Sequence, residues 1–326
     1  MIKNFFKYHP VHKKIVKYFD FLFLLRPSLF FPVWIMICSG MITSSMSTAR
    51  YKIWFSDFSI ITFLIFSGIT LISSSTFIIN QIYDMKTDQF NDKLTLFKNK
   101  ISKNEAEKLY KKLLLVGFVL LIPTGLKNLI FGLILFYVWG ILYNMKPYEF
   151  KQKAILGNVV NIFAGIILFF TGWCINSNIS IDIIIISLPY LLCFLAVTIL
   201  TAIPDTKGDF KTNKITFPIR FGKKQTLFFS VSLVIGAFIL GLKNNDPIIS
   251  TASLISLPFY IFNLFSMKLN NILRTIRFSI FNLSFFLMSV FPYLFIACII
   301  NFYLIKYYYW HRFNLHYISF LIDDND

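Results

Sequence analysis

The sequence predicts an all-α, polytopic membrane protein, with about nine transmembrane helices in one bundle around a central cavity. Three observations carry this. Hydrophobic residues make up 56% of the 326-residue chain and charged residues only 14%, where a soluble domain carries about a quarter charged. Mean hydropathy is +0.67, and 40 phenylalanines exceed what one soluble core needs. Apolar runs of about 18 residues or more, the length that crosses hydrocarbon as a helix, recur along the chain.

The elements follow in order. Residues 1–20 form a basic, aromatic segment with Lys3, Lys7, Lys13, Lys14 and Lys17. The apolar run behind it is long and lacks a small-residue cleavage site, so it reads as a retained helix rather than a leader. The expected spans are 21–45, 58–81, 108–123, 126–144, 155–175, 180–202, 226–242, 247–267 and 279–305. The third and fourth are joined by a short Thr124-Gly125-Leu126-Lys127 turn, and polar residues interrupt the eighth. Tyr307 to Trp310 reads as an interfacial aromatic belt closing the last span. Residues 306–326 form a tail ending in Asp323-Asp324-Asn325-Asp326. With no linker or internal repeat, the whole chain 1–326 reads as one domain.

Charge placement orients these spans. With the N-terminus inside, the connections 1–20, 82–107, 145–154, 203–225 and 268–278, with their flanks, hold 26 of the 32 Lys and Arg. That bias puts the N-terminus in the cytoplasm, the C-terminus outside, and the protein in the cell (inner) membrane. The net charge of +17 then sets topology and attracts anionic membrane lipid. Basic residues scattered over short loops do not form a nucleic-acid face.

Little else in the chain bears chemistry. Cys38, Cys174, Cys193 and Cys298 have no paired spacing, and His9, His12, His311 and His316 lie near the ends. They read as packing and terminal residues, not as a disulfide framework or histidine-ligated metal. No glycine-rich phosphate loop or Ser-His-Asp arrangement appears.

Two aspartate clusters stand out, Asn80-Gln-Ile-Tyr-Asp84-Met-Lys-Thr-Asp88 and Asp205-Thr-Lys-Gly-Asp209. Four of only 15 acidic residues fall into these two Asp-x-x-x-Asp pairs. The spacing puts both carboxylates of a pair on one side of a helix, about 6 Å apart along the axis. Side by side they repel unless a cation neutralises them, and hard oxygen donors with water and phosphate suit Mg²⁺. Asp84, Asp88, Asp205 and Asp209 are therefore candidate metal ligands in a diphosphate site at the membrane surface. The bland alternative makes them helix caps and solvated loop charges. All lie in connections on one side, together with a third loop, Tyr143-Asn-Met-Lys-Pro147-Tyr-Glu-Phe-Lys151.

On these residues the chain resembles the UbiA superfamily of intramembrane prenyltransferases. The matching elements are Asn80, Asp84 and Asp88; Tyr143, Pro147 and Lys151; and Asp205 and Asp209 followed by Thr216-Phe-Pro-Ile-Arg220-Phe-Gly222. Arg26-Pro27 looks like that family's opening. The resemblance implies an enzyme that moves a prenyl group from a prenyl diphosphate to an aromatic or lipid acceptor in the membrane, as in quinone, chlorophyll, carotenoid or ether-lipid synthesis. It implies Mg²⁺ on the four aspartates, Tyr143 near the reactive carbon, and Asn80, Arg26, Lys151 and Lys93 as diphosphate contacts, with Lys214 and Arg220 weaker candidates. Lys93 or Lys98 would replace an arginine of the family. Gln81 replaces an Asp, Asn213 a Gly and Glu149 a basic residue. The Ile-Pro-Asp-x-x-Gly-Asp form looks closer to the homogentisate, chlorophyll and archaeal-lipid branches. Two alternatives stay open: an inactive relative, and a transporter with an Asp-lined substrate site. The second predicts charge at the membrane midplane, and the spans carry almost none.

Overall fold

The computed structural model describes residues 9–46, 58–91, 93, 96–98 and 100–317. Lys3, Lys7 and the acidic tail lie outside the described residues. The chain runs through α1 Pro10–Leu24, α2 Phe30–Met46, α3 Ile60–Phe90, α4 Lys103–Leu121 and α5 Leu126–Leu135, which continues as a π-helix over Phe136–Leu142. Then follow α6 Leu156–Asn176, α7 Asp182–Thr201, the short α8 Thr206–Lys211 and α9 Phe217–Phe221, α10 Lys223–Lys243, α11 Pro247–Ser266, α12 Leu269–Val290 and α13 Pro292–Phe313. Among the described residues there is no strand, only a single bridge between Lys153 and Ile215.

Helix starts follow local chemistry. The Ser59 hydroxyl accepts the Thr62 N–H at the head of α3. Ser102 and Glu105 form a reciprocal capping box on α4. The Asp246 carboxylate accepts the N–H groups of Ile248 and Ile249 and opens α11. These caps satisfy donors that the first helical turn leaves free.

Among the described residues, seven helices are long and apolar enough to cross a membrane, and Leu126–Leu142 is a shorter apolar one. The chain is thus an all-α, multi-pass integral membrane protein. The closest crossing is α2 on α6. A Cβ at Gly40 would lie 1.9 Å from the Phe169 carbonyl oxygen, and one at Gly172 would lie 1.8 Å from that of Ile37. The two backbones touch, as small residues allow in lipid. The polar residues of α11 are also explained. Ser250, Ser253, Ser256 and Asn263 are buried, and Asn263 donates to the Thr275 hydroxyl at 2.8 Å. Asn282 of α12 donates to the Ala252 carbonyl at 2.8 Å. In hydrocarbon such groups pair with one another.

Four expectations need correction. The segment read as 21–45 is broken at Leu25-Arg26, where Arg26 is left-handed at φ 53 and a 3-10 turn, Pro27–Leu29, leads into α2. The connection read as 268–278 is helical from Leu269, so Arg274 and Arg277 lie within α12. The segment read as 279–305 is two helices, because Pro292 starts α13 at a position where its missing N–H costs nothing. The chain turns back there, so nine crossings is an approximate count. At one end of α13, Phe291 stacks on Phe66 and Tyr293 on Phe58, at the start of α3. At the other, Tyr308 and Arg312 reach Asp20, ahead of the first span. The described C-terminal end therefore lies on the side of α1, not opposite it.

Candidate active site

Three connections and the break before α2 converge at the C-terminal end of α3. Asn80, Asp84 and Asp88 recur every four residues and so share one stripe of α3. Thr87 and Asn91 lie on the adjoining stripe and hold α8. The Asn91 side chain accepts the Gly208 N–H at 2.6 Å and donates to the Asp205 carbonyl at 3.2 Å. The Thr87 and Thr212 hydroxyls meet at 3.2 Å. A second tie joins the other two loops: the Ile215 N–H donates to the Gln152 carbonyl at 2.9 Å. Asn213 takes the left-handed conformation, φ 58, which Asn tolerates better than most residues.

All ten predicted site residues line one polar cleft of about 370 Å³: Arg26, Asn80, Asp84, Asp88, Lys93, Tyr143, Lys151, Asp205, Asp209 and Lys214. Each carboxylate meets a cation. Asp84 Oδ1 lies 2.8 Å from Lys151 Nζ and 2.5 Å from Lys214 Nζ. Lys93 Nζ bridges the two clusters, 2.7 Å from Asp205 and 3.4 Å from Asp88. Arg26 Nη2 lies 3.8 Å from Asp88, and Lys214 lies 3.9 Å from Asp209. Asn80 instead donates to Asn144 at 2.9 Å, and Tyr143 lines the wall. Lys93, rather than Lys98, lines the cleft. Arg220 does not line it; its guanidinium lies over the Phe221 ring.

Burial sets the electrostatics. It pushes the Asp209 carboxyl up to about 6, with Lys214 pulling the other way and Asp205 and Asp84 adding to the rise. Burial likewise pulls the Lys151 ammonium below its usual value, against Asp84. At Lys93 burial also acts downward, but Asp205 and Asp88 outweigh it and hold the ammonium above its usual range. A site this dense in both signs keeps its charge only because each buried ion has a partner.

Sequence reading missed several residues of the cleft. Lys153, Thr198, Thr201 and Thr216 also line it. Thr198 and Thr201 carry a faint signal, two hydroxyls three apart in the last turn of an apolar helix. Asn91 carries none, since its side-chain contacts are long-range. The Thr216 hydroxyl is buried and has no hydrogen-bond partner.

The cleft adjoins an apolar chamber of about 220 Å³ within the bundle, and both share Phe77, Trp139, Asn161, Thr198 and Thr201. The chamber runs along α7 to Tyr190 and Ile249. There the Tyr190 hydroxyl donates to Asp246 at 2.8 Å.

Among the described residues, no three acidic, His or Cys side chains converge on one point. The carboxylates stand as pairs, with lysine between them. That fits Mg²⁺, which takes one or two carboxylates and completes its shell with water and phosphate oxygens. The orphaned Thr216 hydroxyl and the lysines fit the anion.

A sequence model of the UbiA prenyltransferase family matches residues 33–289. The chain is 29% identical over 179 residues to the digeranylgeranylglyceryl phosphate synthase of Methanocaldococcus jannaschii, covering 54% of this chain and 61% of that one. It is 28% identical over 185 residues to the synthase of the same name from Sulfurisphaera tokodaii, covering 52% and 63%. Each match thus spans less than two thirds of the relative. In structure the chain is similar to a UbiA homolog from Archaeoglobus fulgidus bound to DMAPP and Mg²⁺, with TM-score 0.67, 20% identity, and coverage of 84% of this chain and 99% of that one.

Proposed function

This chain belongs to the UbiA prenyltransferase family, and from that premise we propose that it transfers a prenyl group from a prenyl diphosphate to a lipid acceptor within the membrane. One observation carries the reading: paired aspartates and five basic residues line a polar cleft that adjoins an apolar chamber. The cleft suits a diphosphate and the chamber suits its isoprenoid tail. A transporter would place its charges near the midplane; here they gather at one end of α3. The synthases to which the chain is similar favour an ether-lipid type of acceptor over an aromatic one.

In this reading Asp84 and Asp88 hold one Mg²⁺ and Asp205 and Asp209 a second. Bound there, Mg²⁺ supplies charge neutralisation for the leaving diphosphate. Lys93, Lys151, Lys214 and Arg26 exchange carboxylate partners for diphosphate oxygens and stabilise the negative charge that builds on them. The C–O bond breaks with its electron pair leaving on the diphosphate. Phe77, Trp139 and Tyr143 wall the resulting allylic cation off from water. A nucleophilic oxygen or carbon of the acceptor then bonds to the cation and gives up a proton.

Purified protein given a labelled prenyl diphosphate and a glycerol-ether acceptor should form prenylated lipid, need Mg²⁺, and stop with EDTA. Asp84→Asn, Asp88→Asn, Asp205→Asn and Asp209→Asn should each lower turnover by about a hundredfold or more. Asp182→Asn, exposed at the far end of α7, serves as control. Four variants with wild-type turnover would refute the metal assignment.

A further inference from the structure

Arg26 occupies a backbone conformation that a non-glycine residue adopts only when its surroundings enforce it. Its φ is 53, a left-handed geometry that is unfavourable for an L-residue. Such outliers persist where neighbouring contacts over-determine them, and they cluster at functional sites. Two contacts do this here. On one side of Arg26, the Gln81 side-chain amide of α3 donates to the Leu24 carbonyl at 2.7 Å. On the other, the Asn301 amide of α13 donates to the Pro27 carbonyl at 2.8 Å. Asn301 is buried, and a buried amide is costly unless it is paired.

Both contacts need an amide donor, because a carboxylate at either position cannot donate to a carbonyl. Asn301 lies on α13, beyond the end of the family match at residue 289. The helix is fixed at its far end too, by the stack of Phe23 on Tyr308 at 3.6 Å and by Arg312 on Asp20. The turn between Leu24 and Pro27 is therefore held from α3 and α13 at once. Its product is the direction of the Arg26 guanidinium, toward Asp88 and into the cleft.

We propose that Gln81 and Asn301 are a positioning pair that holds the strained Arg26 turn and so sets the affinity of the cleft for the diphosphate. This rests on the reading of the cleft as a diphosphate site. The last helix is thereby a working part of the site rather than an appendage.

The test uses the full chain in detergent and inorganic pyrophosphate with Mg²⁺ as the probe, with binding followed by calorimetry. Arg26→Ala, Gln81→Glu and Asn301→Leu should each weaken pyrophosphate binding by about tenfold, the size of one charge-assisted contact. Placed on Arg26→Ala, neither of the other two should weaken it further, because the group they aim is gone. Asn282→Leu, which removes a buried amide between α11 and α12, should leave binding unchanged. Should Asn301→Leu fail to fold, Gln81→Glu, on a half-buried residue, carries the test alone. Wild-type binding in Gln81→Glu and Asn301→Leu overturns the inference. So does a loss of equal size with and without Arg26, which is the mark of a merely structural role. A chain that binds pyrophosphate in this pattern yet transfers no prenyl group overturns the proposed reaction and leaves the positioning pair standing.

Discussion

Arg312 grips Asp20 through two hydrogen bonds, Nε to Oδ1 at 3.0 Å and Nη2 to Oδ2 at 2.8 Å, across 292 positions of sequence. The geometry is bidentate, the stronger arrangement for arginine and carboxylate. The Tyr308 hydroxyl also donates to Asp20 Oδ1. These contacts bring the two described ends of the chain to one side of the bundle, and that side is also the side of the cleft. They move Lys306 and Arg312 into the basic set, which sharpens the charge asymmetry.

Reporter fusions at the N-terminus, at the C-terminus and after Lys100 should therefore all report the same side of the membrane. A C-terminal reporter on the opposite side would contradict the course of α13.

Much of this was legible in the sequence, for physical reasons. Apolar runs must match the bilayer, so most spans could be placed within a few residues. Asp84 and Asp88 repeat at helical spacing, so their shared face was visible. Other features left no local trace. Nothing around Arg26 announces a left-handed break, because it is imposed by Gln81 and Asn301 from far away in sequence. The division at Pro292 was hidden because 279–305 is apolar throughout and proline is compatible with a first helical turn. The lysine between the carboxylates is a fact of assembly: Lys93 and Asp205 are 112 positions apart.

Asp84 holds two ammonium groups, and Lys151 is the more deeply buried, with its side chain 5% exposed. Removing the carboxylate strands that charge. Asp84→Asn should lower the melting temperature of the metal-free protein in detergent, with a loss of about 3 kcal/mol or more. Asp84→Asn combined with Lys151→Met should recover most of that stability and none of the activity. If the double variant melts no higher than the single one, Lys151 is not the stranded group.

In the proposed reaction the chamber would set how much tail the site can hold. Ala252 is buried on α11 and lines it. Ala252→Phe would place a ring in that space, and a packed interior yields little to an added ring. The ratio of kcat/KM for a long prenyl diphosphate over a five-carbon one should fall by about tenfold or more, since pocket size discriminates at that level. An unchanged ratio would place the tail elsewhere.

Gly208 is the point at which the second aspartate pair is held to the first. A Cβ there would lie 2.6 Å from the Asn91 side chain. A free side chain would swing aside, but Asn91 is tied by its bonds to the Gly208 N–H and the Asp205 carbonyl. Moving it loses both, at about 1 kcal/mol or more each; keeping it displaces α8 and, with it, Asp205 and Asp209. Either outcome misplaces carboxylates whose geometry the proposed reaction would need to within a fraction of an ångström. Gly208→Ala should therefore reach the membrane in normal amounts yet lose about tenfold or more in prenyl transfer and in pyrophosphate binding. Asn91→Ala should lose a similar amount by releasing the tie. The two together should lose little more than Asn91→Ala alone, because the clash vanishes with the side chain that caused it. If the losses simply add, Gly208 acts through some contact other than Asn91.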